Sequence, residues 1–248
     1  MAPNEKSSVN SMIEASRYRA KFSGHHGALG AAGYRNKGDN DYGRTCEFLD
    51  DIGESLAVSP GPGGFESILI GVTWDNAKLK KAGFIGKMIG KAKNAGVDLD
   101  IGCLYELADG TRGAIQAFGE KFGNLDALPY IALSEDERTG NTEGHDEYIL
   151  IKGANWDKIK RILVYIYIYD GAARWSQIRP QIVIDIPGES DLVVTLGAHD
   201  DALCLCAVGE VENVRGGIRL TNRSEYFPGH EEMDRAFGFG LKWDDGKK

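Results

Sequence analysis

The run Arg161–Tyr169, RILVYIYIY, limits what this chain can fold into more than any other stretch of its sequence. Read with a period of two, it sets Ile162, Val164, Ile166 and Ile168 on one face and Leu163, Tyr165, Tyr167 and Tyr169 on the other. A strand with no polar face needs a layer on each side. The run therefore predicts a central strand, buried on its aliphatic side and at least half covered on its aromatic side. Similar signals recur from Glu54 onward, at Ser67–Asp75, Gln181–Ile186, Leu192–Leu196, Leu203–Val211, Val214–Leu220 and Ala236–Trp243. The turn sequences SPGPGG, PGES, GAHDD and RGG lie between them, and helical candidates such as Asn155–Ile159 are brief. This pattern predicts an all-β fold, a two-sheet β-sandwich over residues 54–248 with short helices. A hydrophobic content of 42% in 248 residues is enough for its core.

Residues 1–53 read differently, as an amino-terminal extension, partly helical or disordered. Ser11 is placed to cap a short helix to about Lys21, the following FSGHHGALGAAGYRNKGDNDYG is glycine-rich and aperiodic, and Cys46–Gly53 suggests a further helical turn. His25 and His26, adjacent in a glycine loop, read as exposed residues rather than metal ligands. The amino terminus has no apolar core of signal-peptide length, and no segment approaches the roughly 20 apolar residues of a membrane span, so the expected location is cytoplasmic. A net charge of -8 excludes a general nucleic-acid-binding surface, which needs a basic excess. Cys46, Cys103, Cys204 and Cys206 form no CxxC and no zinc spacing; Cys204 and Cys206, two apart, read as buried thiols on one strand face.

Carboxylates concentrate in two places. Glu135, Asp136, Glu137, Glu143, Asp146 and Glu147 crowd a loop with Gly140 and Gly144, just before the central strand. Held that close they repel one another unless a cation, bases or water intervene, and the glycines let backbone carbonyls turn inward, which is the composition of a hard-cation loop. It is not an EF-hand: Asp136 and Glu147 stand at the first and last positions of such a window, but Arg138, Gly140 and Asn141 occupy inner positions that the motif assigns otherwise. The second place is Asp98-Leu99-Asp100, where Leu99 alternates in strand period with Ile101 and Cys103, so both aspartates project from the opposite face.

One segment runs against the acidic balance. Between Asn76 and Gly96, Lys78, Lys80, Lys81, Lys87, Lys91 and Lys93 stand without an acidic residue, among Leu79, Phe84, Ile85, Met88 and Ile89. Residues 77–96 thus read either as a flexible insertion or as a basic amphipathic helix lying on an anionic membrane or a partner protein, with the chain then peripheral at the inner membrane. Gly83, Gly86 and Gly90 each weaken such a helix by about 1 kcal/mol relative to alanine.

Asp98–Asp100 and the segment Asp136–Glu147, DERTGNTEGHDE, together resemble the DLD and GDN-xTGxxxGDDE signatures of the TerD family of tellurite-resistance and stress proteins. The carboxyl end Tyr226–Trp243, YFPGHEEMDRAFGFGLKW, is similar to the TerA branch. The resemblance runs in order from about Glu54 to Trp243. It implies a β-sandwich that binds calcium through Asp98, Asp100, Asp136, Glu137, Asp146 and Glu147, with carbonyls such as those of Arg138 and Gly140 completing the shell. Glu137 replaces the family's asparagine, and His145 replaces the first aspartate of its DDE, where imidazole is a poorer calcium ligand than oxygen.

No nucleophile stands beside a base, no glycine loop follows a strand to cradle phosphate, and the five histidines define no catalytic set. The expectation is a non-enzymatic, calcium-binding bacterial protein of stress response and tellurite resistance, an interaction module whose partners are other proteins of that system. The alternatives are a thiol-dependent reductase using Cys204 or Cys206, a metal-dependent hydrolase on the acidic loops, and a structural subunit of a larger assembly.

Overall fold

In the computed structural model, residues 46–73, 98–134, 148–170, 174–178, 180–196 and 200–243 are described. They form two sheets. The first runs, edge to edge, Cys46–Leu49 (β1), Asp191–Thr195 (β11), Gln181–Asp185 (β10), Ser67–Thr73 (β3), Tyr148–Lys152 (β8), Ile131–Leu133 (β7) and Gly123–Asn124 (β6). The second runs Ser55–Val58 (β2), Gly217–Phe227 (β13), Leu205–Val214 (β12), Ile159–Asp170 (β9), Asp98–Leu107 (β4) and Arg112–Ile115 (β5). The β1–β11 pair is parallel and the other pairs are antiparallel.

The two-sheet sandwich expected from the alternation is the fold. β9 lies between β12 and β4, and its Ile162, Val164 and Ile166 meet Ile68, Ile70, Ile149, Ile151, Ile182 and Ile184 in the core between the sheets. Its other face is covered as well: Leu163 and Tyr165 are buried with Leu104, Met233 and Phe239 in an outer layer. The RGG turn closes the β12–β13 hairpin, where Arg215 and Gly216 both take positive φ (54° and 85°), as two-residue hairpins require.

Two local expectations are corrected, and the brief helical candidate is found with shifted bounds. Cys46–Leu49 is a strand, not a helical turn, because Leu49 reaches the inter-sheet core while the backbone pairs with β11. The sandwich therefore takes in residues before Glu54. Asn155–Ile159 becomes a 3-10 turn, Gly153–Lys158, that leads straight into β9. Ala236–Trp243 is not a strand: His230–Phe237 is a helix (α1), and an irregular tail follows. Gly238 and Gly240 both adopt φ 69°, which extended backbone cannot contain. The Asp234 carboxylate then accepts the N–H of Gly240 (2.6 Å), the N–H of Leu241 (2.7 Å) and the indole N–H of Trp243 (2.8 Å), folding the tail into a hook.

Candidate functional site

Strand direction decides which loops can meet. The 3-10 turn joins Lys152 of β8 to Ile159 of β9, and Ile159 pairs with Leu107 of β4, so these three strand ends share one end of the sandwich. The opposite end holds Tyr148, whose carbonyl accepts the N–H of Ser134 (2.9 Å), together with the start of β4 at Asp98, in register with Asp170. Gly71 of β3 pairs with Tyr148, so β3 also leaves at that end. The strand ends that flank residues 135–147 and those that flank residues 74–97 thus open at the same end as Asp98.

On β4 the alternation holds: Leu99 is 1% exposed in the inter-sheet core, and Asp100 lies partly exposed on the outer face. Asp100 stands in register with Tyr167, and Asp98 with Asp170, a neighbour whose place only the strand pairing reveals. The side chain of Asp98 lies outside the described residues, as do Asp136, Glu137, Arg138, Gly140, Asp146, Glu147 and the six lysines 78, 80, 81, 87, 91 and 93. Among the described residues, no group of three or more His, Cys, Asp or Glu is arranged to hold a metal ion.

Beside Asp100 an aromatic cap closes the outer face. Tyr165 lies against Gly102, where a Cβ would come within 2.5 Å of its Cζ, and its hydroxyl donates to Gln116 Oε1 at 2.7 Å. Burial holds that phenol well above its ordinary pKa, with Cys103 and Asp100 adding in the same direction. His230, the first residue of α1, sits among rings: Tyr165 at 5.1 Å, Trp243 stacked at 5.3 Å, Tyr167 at 5.6 Å and Phe118 at 6.4 Å between centroids. Burial lowers the imidazole's pKa. His230 is far in sequence from Gln116, Phe118 and Tyr165, and no local pattern marks it as their neighbour.

Charged groups fix the hook from its other side. Arg161 donates to Glu106 (2.8 Å), Glu210 (3.3 Å) and the carbonyl of Phe237 (3.1 Å), with its guanidinium 4.1 Å over the Phe239 ring. Arg112 donates to the carbonyls of Gly238 (3.3 Å) and Phe239 (3.0 Å), and Arg223 pairs with Glu210. Hydrogen bonds from Lys160, Arg161 and Arg112 overcome burial and pull the Glu106 pKa down to about 2. Cations at the carbonyl end of a helix also suit its dipole.

The two thiols do not share a strand face. Cys206, on β12, is fully buried and burial pushes its pKa far up, which removes the thiolate a reductase needs. Cys204 precedes the strand, is partly exposed, and has Sγ 4.0 Å from the carbonyl of Pro228. Asn222, the head of a sequon-like triplet, is 0% exposed: its amide donates to the Leu49 carbonyl (3.0 Å) and its oxygen accepts from Ser224 (2.7 Å), so it ties the two sheets.

Comparison with known proteins gives a relative for this architecture. The tellurium resistance protein TerA of an Alcaligenes species is 36% identical over 185 residues, 74% of this chain and 53% of that protein. The chain spans about half the length of this curated relative. The crystal structure of a homologue of telluride resistance protein (TerD) from Streptomyces coelicolor A3(2) is 15% identical and covers 69% of this chain and 95% of its own, with a TM-score of 0.43. No family model matches. With 36% identity to TerA over 185 residues, and with both acidic signatures in order, the chain belongs to the TerD family of tellurite-resistance proteins.

Proposed function

We propose that this chain is a non-enzymatic, calcium-binding protein of tellurite resistance and stress response that works as an interaction module for other proteins of such a system. The observation that carries the reading is its 36% identity to a tellurium resistance protein over 185 residues. The calcium site proposed is Asp98, Asp100, Asp136, Glu137, Asp146 and Glu147, with the carbonyls of Arg138 and Gly140 completing six to eight oxygen ligands. Two features support it: Asp100 stands partly exposed on the outer face of β4, and the strand ends flanking 135–147 open at the same end as Asp98. The proposed location is the cytoplasm, with residues 77–96 as a peripheral contact at an anionic membrane. Among the described residues, no helix is long and apolar enough to cross a membrane.

Calcium titration by calorimetry, paired with thermal melts, tests the site. A ligand that binds only the folded state raises the melting temperature by mass action. Calcium should do so, magnesium should do less because it demands tighter octahedral geometry, and Asp98→Asn with Asp100→Asn should remove most of the shift. Equal melting temperatures in millimolar calcium and in chelator would refute the calcium reading.

A further inference from the structure

His230 joins the carboxyl-terminal hook to the second sheet through ring contacts. Its imidazole lies between Trp243, stacked on it at 5.3 Å and 29°, and Tyr165 of β9, edge-on at 5.1 Å and 81°. Tyr167 and Phe118 close two further sides at 5.6 and 6.4 Å. Among the described residues, none accepts a hydrogen bond from the ring. Such a cluster suits the neutral imidazole. A proton would put a cation in a place largely closed to water, at the first residue of α1, where the helix dipole also opposes positive charge. The charged groups around it are already engaged or offset one another. On α1, Asp234 is spent on Gly240, Leu241 and Trp243, Glu231 pairs with Arg235 (3.0 Å), and Glu232 Oε2 lies 3.3 Å from where a Cβ on Gly229 would stand. Beside Phe118, Glu120 and Lys121 are exposed and opposite in sign, and on the hook the exposed Lys242 would repel an imidazolium. Tyr165 and Tyr167 are the titratable groups of β9 that face the ring; the Tyr165 hydroxyl donates to Gln116 Oε1, and Asp100 of β4 acts on that phenol. Burial alone lowers the imidazole's pKa.

We propose that His230 is the trigger of a pH-sensitive latch: its protonation in mild acid releases Trp243, and the hook beyond Gly240 lifts off the second sheet while Phe239 keeps its place. The two parts of the hook are held differently. Phe239 is 1% exposed, with the Arg161 guanidinium 4.1 Å over its ring and Arg112 donating to its carbonyl at 3.0 Å. Those cations are set by Glu106, whose pKa of about 2 leaves it ionised throughout mild acid. Trp243 has the His230 stack and one hydrogen bond, from its indole to Asp234 (2.8 Å). Between the two, Gly240 with φ 69° supplies a pivot free of a side chain. The sign follows from linkage. The closed latch binds the proton less well than the open one, so it is fully shut above about 6.5 and weakens as pH falls below that value. Opening uncovers the rings of Tyr165 and Tyr167, the second of which stands in register with Asp100, so acid changes the surface offered beside that carboxylate. The four rings around His230 include none of the proposed calcium ligands, and the latch stands whether or not calcium binds.

NMR on the full chain in chelator tests this, following the His230 ring and the Trp243 indole N–H together from pH 8 to pH 4.5, with His230→Phe and Trp243→Phe identifying the two signals. The His230 midpoint is expected between 4.5 and 6.5, and the protection of the Trp243 indole against exchange should fall several-fold with the same midpoint. In His230→Phe, which keeps a ring in the cluster and cannot titrate, the indole should stay protected down to pH 4.5. A His230 midpoint at or above 6.5, as when stacking on Trp243 holds the imidazolium, overturns the proposal, and so does a ring that takes up no proton above pH 4.5. An indole that stays protected through the His230 titration, or that loses protection equally in His230→Phe, overturns it too. If that variant fails to fold, the two wild-type midpoints decide: coincidence supports the latch and separation sinks it.

Discussion

Replacing Glu106 by glutamine isolates the charge that holds the carboxyl-terminal hook. The carboxylate is 3% exposed and takes hydrogen bonds from Lys160 (2.8 Å), Arg161 (2.8 Å) and Arg112 (3.3 Å), which bring its pKa from 4.5 to about 2. Each tenfold change in proton affinity is worth about 1.4 kcal/mol, so the ceiling on its linked stability is about 3 kcal/mol. Lys160 and Arg112 are 59% and 39% exposed, and solvent screens their share, which leaves about 1.5 kcal/mol. For a domain of this size that corresponds to a fall of roughly 3–6 °C in melting temperature. The pH dependence has a definite sign. A carboxyl whose pKa is depressed in the fold stabilises fully above its unfolded value, and that stability disappears as pH falls through the folded value. The gap between wild type and Glu106→Gln should therefore be complete at pH 7, begin to close below about 4.5, and be gone near pH 2. Scanning calorimetry at pH 7, 5 and 3 reads it directly. Because Arg161 and Arg112 also hold the carbonyls of Phe237, Gly238 and Phe239, amide exchange across residues 238–243 should speed up in the variant at pH 7. Equal melting temperatures at pH 7, or a gap constant from pH 7 to pH 3, would show that the pairing contributes nothing through charge.

Other consequences can be measured separately. Burial keeps His230 neutral, so its contribution is in place above about 6.5 and lost as pH falls; exchange in residues 238–243 should speed up on acidification in the wild type and respond less in His230→Phe. Asn222→Ala strands the Leu49 carbonyl and the Ser224 hydroxyl in a site with 0% exposure, and chemical denaturation should register a loss of about 2–3 kcal/mol. Gly102→Ala drives a methyl to within 2.5 Å of Tyr165 Cζ, and the displaced ring should cost about 1–3 kcal/mol and disturb the Tyr165–Gln116 hydrogen bond, visible in tyrosine fluorescence.

The sequence by itself determined the sandwich and the direction of its strands' faces. β9 carries two apolar faces at period two, and such a strand is satisfied only between layers; the inward Leu99 and outward Asp100 of β4, and the Arg215-Gly216 hairpin, are equally local choices. Tertiary structure decided what local pattern leaves ambiguous. Phe237, Phe239, Leu241 and Trp243 alternate as a strand would, yet the capture of backbone N–H groups by Asp234 and the grip of Arg112 and Arg161 turn them into a hook over β4 and β9. Cys46–Leu49 is too short to declare itself and becomes a strand only because β11, distant in sequence, offers a parallel edge. Arg161 stands at the head of the apolar run of β9 for a reason visible only in space, since its carboxylate partners Glu106 and Glu210 arrive from the two flanking strands. Period and turn chemistry act over a few residues, and can be read in one dimension. Charge pairing, helix capping and strand edges depend on groups that meet only once the sheets have stacked.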